Sequence, residues 1–219
     1  MNHSTGPARR LFERAREAFH RQHGMTLAEL MIAMGILSVV LLVFTSTLAS
    51  VQNIVLKENT RSRLNNEARL VLQSIDRNVR SGNLLYDPAS EVGNDPYDVA
   101  ASGYMFRVYT QAKHQPIDAP RCALWLIDDQ QQVKYRWWPA LDPAAATDWR
   151  VIATGVVNRD LGEPAFLLGG DGRTINVNFF VNANLTNDPS ATQAFEASLT
   201  GRNTSFGYPI NVCEDLPSL

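Results

Sequence analysis

Glu29 has the most unusual setting of any residue in this sequence, because its carboxylate lies inside the start of a long apolar run. No charged residue occurs between Leu30 and Leu56. A charge in such a setting is unfavourable unless it meets a charge of opposite sign. The chemistry it offers is therefore pairing with a positively charged partner. The alternative is that Glu29 lies at the headgroup boundary of a plain membrane anchor.

The two cysteines, Cys122 and Cys213, form a second candidate for chemistry. Both follow the apolar run, in the part of the chain expected outside the cytoplasm, where disulfides persist. An even count in that compartment makes a disulfide the leading interpretation. It would close a loop of about 90 residues, which the chain-entropy model values at roughly 4–5 kcal/mol. Two buried free thiols are the alternative, and the spacing matches no zinc site.

Residue types that support turnover chemistry are sparse. Three of the four histidines precede Gly24, and His114 is expected on the surface. The sequence holds no motif of a serine hydrolase, zinc protease, phosphate-binding loop or thiol oxidoreductase. We therefore predict no enzyme activity, no catalytic residue, no cofactor and no metal. One acidic stretch could supply oxygen ligands for calcium, but it lacks EF-hand spacing and a solvated loop is favoured; it comprises Asp87, Glu91, Asn94, Asp95 and Asp98.

Tryptophans and helix arginines allow binding interpretations beside structural ones. The tryptophans could form a carbohydrate- or partner-binding surface, although packing in a core is their commoner use. The arginines are interpreted as salt-bridge and subunit contacts. With a net charge of -2, the chain does not favour nucleic acid as a partner. These residues are Trp125, Trp137, Trp138 and Trp149, and Arg61, Arg63, Arg69, Arg77 and Arg80.

The apolar run has the length of a membrane span. A bilayer core about 30 Å thick needs about 20 apolar helical residues. Residues 1–24 carry five arginines against two glutamates, and a basic flank favours a cytoplasmic N-terminus. We predict a basic leader over 1–24 and a transmembrane helix over 25–50 in the cytoplasmic membrane, with the C-terminal domain extracytoplasmic.

The sequence Gly24-Met25-Thr26-Leu27-Ala28-Glu29 resembles the N-terminal motif of type IV prepilins. In that family a basic leader ends in glycine, and an apolar residue, Thr-Leu-x-Glu and an apolar helix follow. Phe usually follows the glycine, where this chain has Met25. The resemblance implies cleavage between Gly24 and Met25 by the prepilin peptidase/N-methyltransferase and N-methylation of Met25. Gly24 suits an extended fit in a protease cleft because glycine is conformationally free.

The same resemblance implies assembly with other pilin or pseudopilin subunits at a membrane assembly platform. In the resulting filament, the cleaved N-terminus carries a positive amine at Met25. Glu29 is then expected to pair with the amine of a neighbouring subunit and to set the axial register. The apolar run would serve first as a membrane anchor and then as a packing surface.

Beyond the apolar run the helix is predicted to continue over 51–82 with one apolar face. Apolar residues recur at helical spacing at Leu64, Ala68, Val71, Leu72, Ile75 and Val79. Two pairs of opposite charge, Arg63–Glu67 and Asp76–Arg80, lie four residues apart and can support the helix. Ser81-Gly82-Asn83 is the predicted stop.

Residues 83–219 are predicted to form a β-rich domain with an antiparallel sheet packed on this helix. Residues 83–101 are expected to be a loop, Asp128-Asp129-Gln130 a hairpin turn, and Gly169–Gly172 a second turn. Short connections without helices indicate antiparallel pairing. The predicted class is α+β, with the lollipop outline that the resemblance implies. The predicted strands are Tyr104–Thr110, Cys122–Ile127, Gln132–Trp138, Val151–Val157, Thr174–Val181 and Ala194–Leu199.

Outside the N-terminal motif, the long helix with an arginine-rich polar face resembles minor pilins and minor pseudopilins of the PilW/J type. The implied function is a structural subunit of a type IV pilus, a type II secretion filament or a competence filament. The alternative is a single-pass, signal-anchored extracytoplasmic enzyme or binding protein with a chance match to the motif. The sequence does not distinguish the three filament systems.

Overall fold

The computed structural model describes residues 25–110, 120–201 and 211–217. The chain divides into two compact units, Met1–Val55 and Leu56–Leu219. Helix α1 spans Leu27–Arg80 and contributes residues to both units. The remaining described elements belong to the second unit, referred to below as the domain.

In the first unit, every described residue of α1 is exposed. Most of its hydroxyl side chains donate to carbonyls of the helix itself. Ser38 donates to the Met34 carbonyl at 2.8 Å, and Thr47 donates to the Val43 carbonyl at 2.9 Å. Such bonds to the preceding turn give these hydroxyl hydrogens an acceptor that remains available in apolar surroundings.

In the domain, α1 buries one apolar stripe, as its 3.6-residue spacing predicts. Leu64, Ala68, Val71, Ile75 and Val79 are at most 4% exposed and belong to the largest core cluster. The two predicted charge pairs are also confirmed. Arg63 lies 3.5 Å from Glu67 and Arg80 lies 2.7 Å from Asp76.

Among the described residues, eight strands form two antiparallel sheets, and the predicted antiparallel pairing is confirmed. The first has the order β1-β2-β3-β4-β5 and the second the order β6-β7-β8. A short helix, α2 (Asn158–Leu161), follows the first sheet. The strands are β1 Gly82–Leu85, β2 Met105–Thr110, β3 Arg121–Ile127, β4 Gln132–Pro139, β5 Arg150–Thr154, β6 Phe166–Leu168, β7 Thr174–Val181 and β8 Gln193–Thr200.

The change of sheet occurs at Gly155, inside the segment predicted as strand Val151–Val157. Gly155 has φ +70°, and a Cβ there would lie 3.0 Å from the Asn182 carbonyl oxygen. Only glycine fits this left-handed backbone at so close an approach. The next residue, Val156, pairs with Val181 of β7. After Thr154 the chain therefore stops pairing with β4 and pairs with the second sheet, so β5 ends at Thr154.

Two strands were not predicted. β1 begins at the predicted helix stop, extends into the segment predicted as a loop and pairs with β2. β6 pairs with β7. Both are short, at four and three residues, and their stability depends on the neighbouring strand rather than on a local alternating pattern.

The predicted hairpin between β3 and β4 is confirmed, with Trp125 opposite Tyr135 and Leu126 opposite Lys134. The Asp128 carboxylate accepts the Gln130 and Gln132 amides at 2.9 and 2.7 Å. The expected turn over residues 169–172 also forms, between β6 and β7. The Asp171 carboxylate accepts hydrogen bonds from the Arg173 amide and the Thr174 hydroxyl. Both bonds lower the pKa of Asp171, and the bond from Arg173 has the larger effect.

The five-stranded sheet is covered on both faces. Phe106 and Val108 of β2 face the helix stripe, in one core cluster. Met105 and Tyr109, on the opposite face, pack with Cys213 in a second cluster. All six residues of β2 are consequently buried, because the C-terminal segment 211–217 lies over the face that α1 does not cover.

Candidate processing and assembly site

Thr26 caps the N-terminus of α1. Its hydroxyl oxygen accepts a hydrogen bond from the Glu29 amide at 3.3 Å, and its carbonyl accepts one from the Leu30 amide at 3.2 Å. Threonine at the cap with glutamate three residues later is the sequence pattern of a capping box. The Thr-Leu-Ala-Glu stretch of the motif is therefore also a helix-start signal.

Glu29 lies in the first turn of α1, where a negative charge is favoured by the helix dipole. Glu29 is exposed. Met25 and Leu27 are also exposed, at 63% and 79%. Among the described ion pairs, none involves Glu29. Gly24 and the leader lie outside the described residues, so the predicted cleavage bond is not described.

The helix that follows has the length and composition to cross a membrane. Within the described residues it is the one helix that meets this test. Its apolar side chains between Leu30 and Leu56 are exposed rather than packed in the fold. A lipid core or the helices of other subunits would cover such a surface.

In the domain, Cys122 and Cys213 form a disulfide across a sequence separation of 91, with their Cα atoms 5.9 Å apart. The bond joins β3 to the C-terminal segment. The Tyr86 hydroxyl accepts the Cys213 amide at 3.0 Å. Burial raises the pKa of Tyr86, and this bond opposes the rise.

Arg107 is a buried hub that links three parts of the domain. Its guanidinium pairs with Glu91 at 2.7 Å, donates to the Cys213 carbonyl, and donates to the Glu214 carbonyl at 3.1 Å. The guanidinium also lies 4.4 Å from the centroid of the Tyr86 ring. One charged side chain thus holds the acidic segment, β2 and the C-terminal segment together.

The expectation of a solvated acidic loop at 87–98 is wrong for its two central carboxylates. Glu91 is 1% exposed and Asp95 is 2% exposed. Glu91 pairs with Arg107, and Asp95 pairs with Arg159. Arg159 also donates to the Ile127 carbonyl at 2.6 Å. Buried charges require such partners, and the pattern makes these groups structural.

No group of three or more histidine, cysteine, aspartate or glutamate side chains suited to a metal ion occurs among the described residues. His114 lies outside them. The groove beside residues 56–65 of α1 has a volume of about 480 Å³. Its far wall is formed by the connection from β7 to β8, where amides and hydroxyls bond one another, as Asn182 does to Thr192 at 2.9 Å.

The tryptophans divide between core and edge. Trp125 and Trp138 are fully buried, in agreement with the packing interpretation. Trp137 and Trp149 are half-buried, and each lies against a guanidinium, Arg121 at 5.5 Å and Arg136 at 4.2 Å. Each of these two tryptophans therefore has a cationic neighbour, and Trp149 also packs against the second core cluster.

Sequence reasoning did not identify Arg107 and Arg159 as structural hubs. Arg107 stands alone in an apolar strand, Met105-Phe106-Arg107-Val108-Tyr109, and alternation permits an exposed side chain there. One signal in the sequence could have indicated this pairing. Glu91 and Asp95 precede a strand that carries the cation Arg107, and carboxylates near a cation in an apolar strand suggest an internal ion pair. The sequence contains no indication of which acid meets which arginine.

One family model matches the chain over residues 19–45, and its description is the prokaryotic N-terminal methylation motif. The match covers the Gly24–Glu29 stretch, the cap of α1 and half of the apolar run. No curated protein and no solved structure matches the chain. The chain thus carries a prepilin-type N-terminal motif at the start of a membrane-compatible helix, and this motif supports its placement among the type IV pilin-like proteins.

Proposed function

We propose that this chain is a minor pilin or minor pseudopilin, a structural subunit of a filament of the type IV pilus, type II secretion or competence class. The observation that carries the proposal is the methylation-motif match over residues 19–45, which coincides with the capped start of an exposed apolar helix. The work of such a subunit is assembly by helix packing, without turnover chemistry.

Maturation follows from the motif. The prepilin peptidase cleaves between Gly24 and Met25 on the cytoplasmic side, and Met25 is N-methylated. The mature chain then begins two residues before α1, so its new positive amine lies close to the first helical turn. The basic leader keeps the N-terminus cytoplasmic, and the domain lies across the cytoplasmic membrane.

Glu29 supplies the register between subunits. Its carboxylate lies in an exposed, apolar stretch, and the described residues give it no ion-pair partner. In the filament the amine of a neighbouring Met25 pairs with it. Pairing in a low-dielectric layer offsets the desolvation of both charges, so a wrong axial position leaves two unpaired charges.

The test is the intact mass of the full chain extracted from membranes of cells with and without the prepilin peptidase. We expect a chain that begins at N-methyl-Met25 where the peptidase is present and a chain with residues 1–24 where it is absent. Gly24→Val should block cleavage by crowding the cleft. Ala28→Val, at the variable position of the motif, is the matched control and should be cleaved.

Glu29→Ala separates the two roles of the motif. We expect normal cleavage and a strong loss of incorporation into filaments, whereas Glu58→Ala, the next carboxylate along α1, should retain both. An uncleaved form that begins at Met1, in cells that process their other prepilins, contradicts the proposal. That outcome would favour a signal-anchored extracytoplasmic protein.

A further inference from the structure

The groove beside residues 56–65 of α1 starts at the residues that end the apolar run. Leu56 and Lys57 both line it, as do Arg61, one turn further along α1, and Ala183 and Asp188 of the connection from β7 to β8. Its volume of about 480 Å³ lies within the range of small-molecule sites. The groove is formed entirely by residues of the domain, and it can hold a small ligand.

The length of the apolar run predicts the level of this groove relative to a bilayer. The 27 residues from Leu30 to Leu56 carry no charge, and a helix of that length measures about 40 Å. A bilayer with both of its headgroup layers is about 40–45 Å thick. Lys57 is the first charged residue after the run. We therefore expect Lys57, and the groove that it lines, at the level of the lipid headgroups on the side of the domain.

Two cations line the groove from the same face of α1. Lys57 and Arg61 are four residues apart, so their side chains are neighbours on the helix surface, and both are exposed. Among the described ion pairs, none includes either residue. The Gln193 carboxamide oxygen accepts the Arg61 Nε at 2.7 Å. A neutral amide orients the guanidinium without cancelling its charge, and lysine and arginine are the side chains that bind phosphate.

Carboxylates also line the groove, and they restrict which phosphate compound fits. Glu58 and Asp188 are both lining residues, and both are exposed. One oxygen of the Asp188 carboxylate accepts the Ser190 hydroxyl at 2.8 Å. A headgroup with only negative charge is attracted by the cations but repelled by the carboxylates. A headgroup that carries both a phosphate and an ammonium group finds an opposite charge for each.

We propose that the groove binds the headgroup of a phospholipid that carries a primary ammonium group, as phosphatidylethanolamine does. Lys57 and Arg61 bind the phosphate, and Asp188 accepts the ammonium group. Leu56, which is 64% exposed, contacts the apolar part of the lipid next to the phosphate. This inference rests on the proposed function, because it concerns the stage at which the subunit is still anchored in the membrane.

Other occupants fit the groove less well. A soluble phosphate compound would leave the apolar part of the lining, at Leu56, Ala183 and Ala191, without a partner. A second copy of this chain could cover the same surface, but the headgroup level predicted for Lys57 makes a lipid the molecule at hand. The experiment below distinguishes the lipid from the second copy.

The experiment uses the full chain with a photo-crosslinking residue in place of Ala183, an exposed position in the groove. The chain is reconstituted in vesicles of equal parts phosphatidylethanolamine and phosphatidylglycerol, irradiated, and measured by intact mass. We expect lipid adducts with about threefold more phosphatidylethanolamine than phosphatidylglycerol. A crosslinker at Leu167, an exposed position of β6 outside the groove, is the control and should show no preference between the two lipids.

Substitutions in the groove test each charged contact. In the chain with the crosslinker at position 183, Lys57→Gln/Arg61→Gln should lower the yield of lipid adducts about tenfold. Arg69→Gln is the matched control, because Arg69 is an exposed arginine of the same helix outside the groove, and it should leave the yield unchanged. Asp188→Asn keeps an acceptor for Ser190, and it should abolish the preference for phosphatidylethanolamine while adducts still form.

Three results would overturn the proposal. They are an unchanged yield for Lys57→Gln/Arg61→Gln, equal adducts of the two lipids in the wild type, and a covalent dimer in place of lipid adducts, which would assign the groove to a second copy. If the double variant lowers the unfolding midpoint of the domain, Lys57→Gln alone decides, since Lys57 is exposed. It should retain the midpoint and lower the yield about threefold, and an unchanged yield contradicts the lipid site.

The outcomes also separate this inference from the proposed function. A chain that is cleaved after Gly24 and enters filaments, but gives no lipid adducts from position 183, contradicts the lipid site alone. A chain that gives the expected adducts in vesicles, but is never cleaved in cells that process their other prepilins, contradicts the proposed function alone.

Discussion

Residues 27–55 of α1 and the domain of residues 56–219 differ in the exposure of their apolar side chains. In the first region every side chain is exposed, although few are polar. In the domain the apolar side chains fill two clusters, one on each face of the five-stranded sheet. The first region therefore requires cover from lipid or from other chains, whereas most of the domain is satisfied internally.

Two glutamates show what this difference means. Glu29 is exposed at a helix start, whereas Glu91 is 1% exposed within the domain. Glu91 already has its cation, Arg107, sixteen residues away in the chain. A charge without an ion-pair partner, or an exposed apolar surface, thus indicates a position at which another molecule is expected. A charge that is paired within the domain has a structural role.

The largest effect is expected where an internal pair of the domain is broken. Glu91→Gln removes the charge that faces Arg107 at 2.7 Å, with side chains 2% and 7% exposed. An uncompensated buried guanidinium remains, and we expect a loss of about 3–5 kcal/mol in the free energy of unfolding. Urea denaturation of the extracted protein, followed by tryptophan fluorescence, measures it.

The matched control is Asp76→Asn, which breaks the exposed pair with Arg80. Exposed pairs contribute at most about 1 kcal/mol, so its midpoint should change little. The double variant Glu91→Gln/Arg107→Met should recover part of the loss, because the unpaired charge is gone. Equal losses of unfolding free energy for Glu91→Gln and Asp76→Asn would contradict the distinction between buried and exposed ion pairs.

A smaller effect is expected from the covalent link between β3 and the C-terminal segment. Replacing both cysteines, as Cys122→Ser/Cys213→Ser, removes the closure of a loop with a sequence separation of 91. We expect a loss of about 2–4 kcal/mol in the free energy of unfolding. The contacts of Arg107 with the same segment remain, which limits the loss.

Reducing agent provides the control for the disulfide. Dithiothreitol should lower the unfolding midpoint of the wild type to that of the double variant and leave the variant unchanged. A wild-type midpoint that is insensitive to reductant would show that hydrogen bonds alone hold the C-terminal segment. Such a result would make the domain less dependent on its long-range covalent link than we expect.

The same contrast explains how much of the fold could be predicted from the sequence. The stripe from Leu64 to Val79 and the strand Thr174–Val181 were predictable, because each is a repeat with its own period. The change of sheet at Gly155 was not, since it depends on the approach of Asn182. Short strands such as β1 form only because β2 offers a partner.

The candidate site divides in the same way. Thr26, Leu27 and Glu29 stand within four residues of one another, so their spacing was enough to suggest the motif. The buried network of the domain joins Arg107 to Glu91 and Cys213, which are far apart in the sequence. The sequence did not predict the contacts of Arg107, because only the folded domain brings these residues together.

The smallest effect is expected at the start of α1, and it should be confined to the first region. Thr26→Ala removes the acceptor of the Glu29 amide, and loss of a cap typically lowers helix stability by about 1 kcal/mol. Hydrogen exchange at that amide should accelerate about fivefold, whereas Thr26→Ser should retain protection. Thr45→Ala is the control, because Thr45 bonds only to carbonyls within the helix. The unfolding midpoint of the domain should not change in any of the three. A lowered midpoint for Thr26→Ala would mean that the cap stabilises more than the local turn, and the contrast between a locally specified helix start and an internally satisfied domain would then fail.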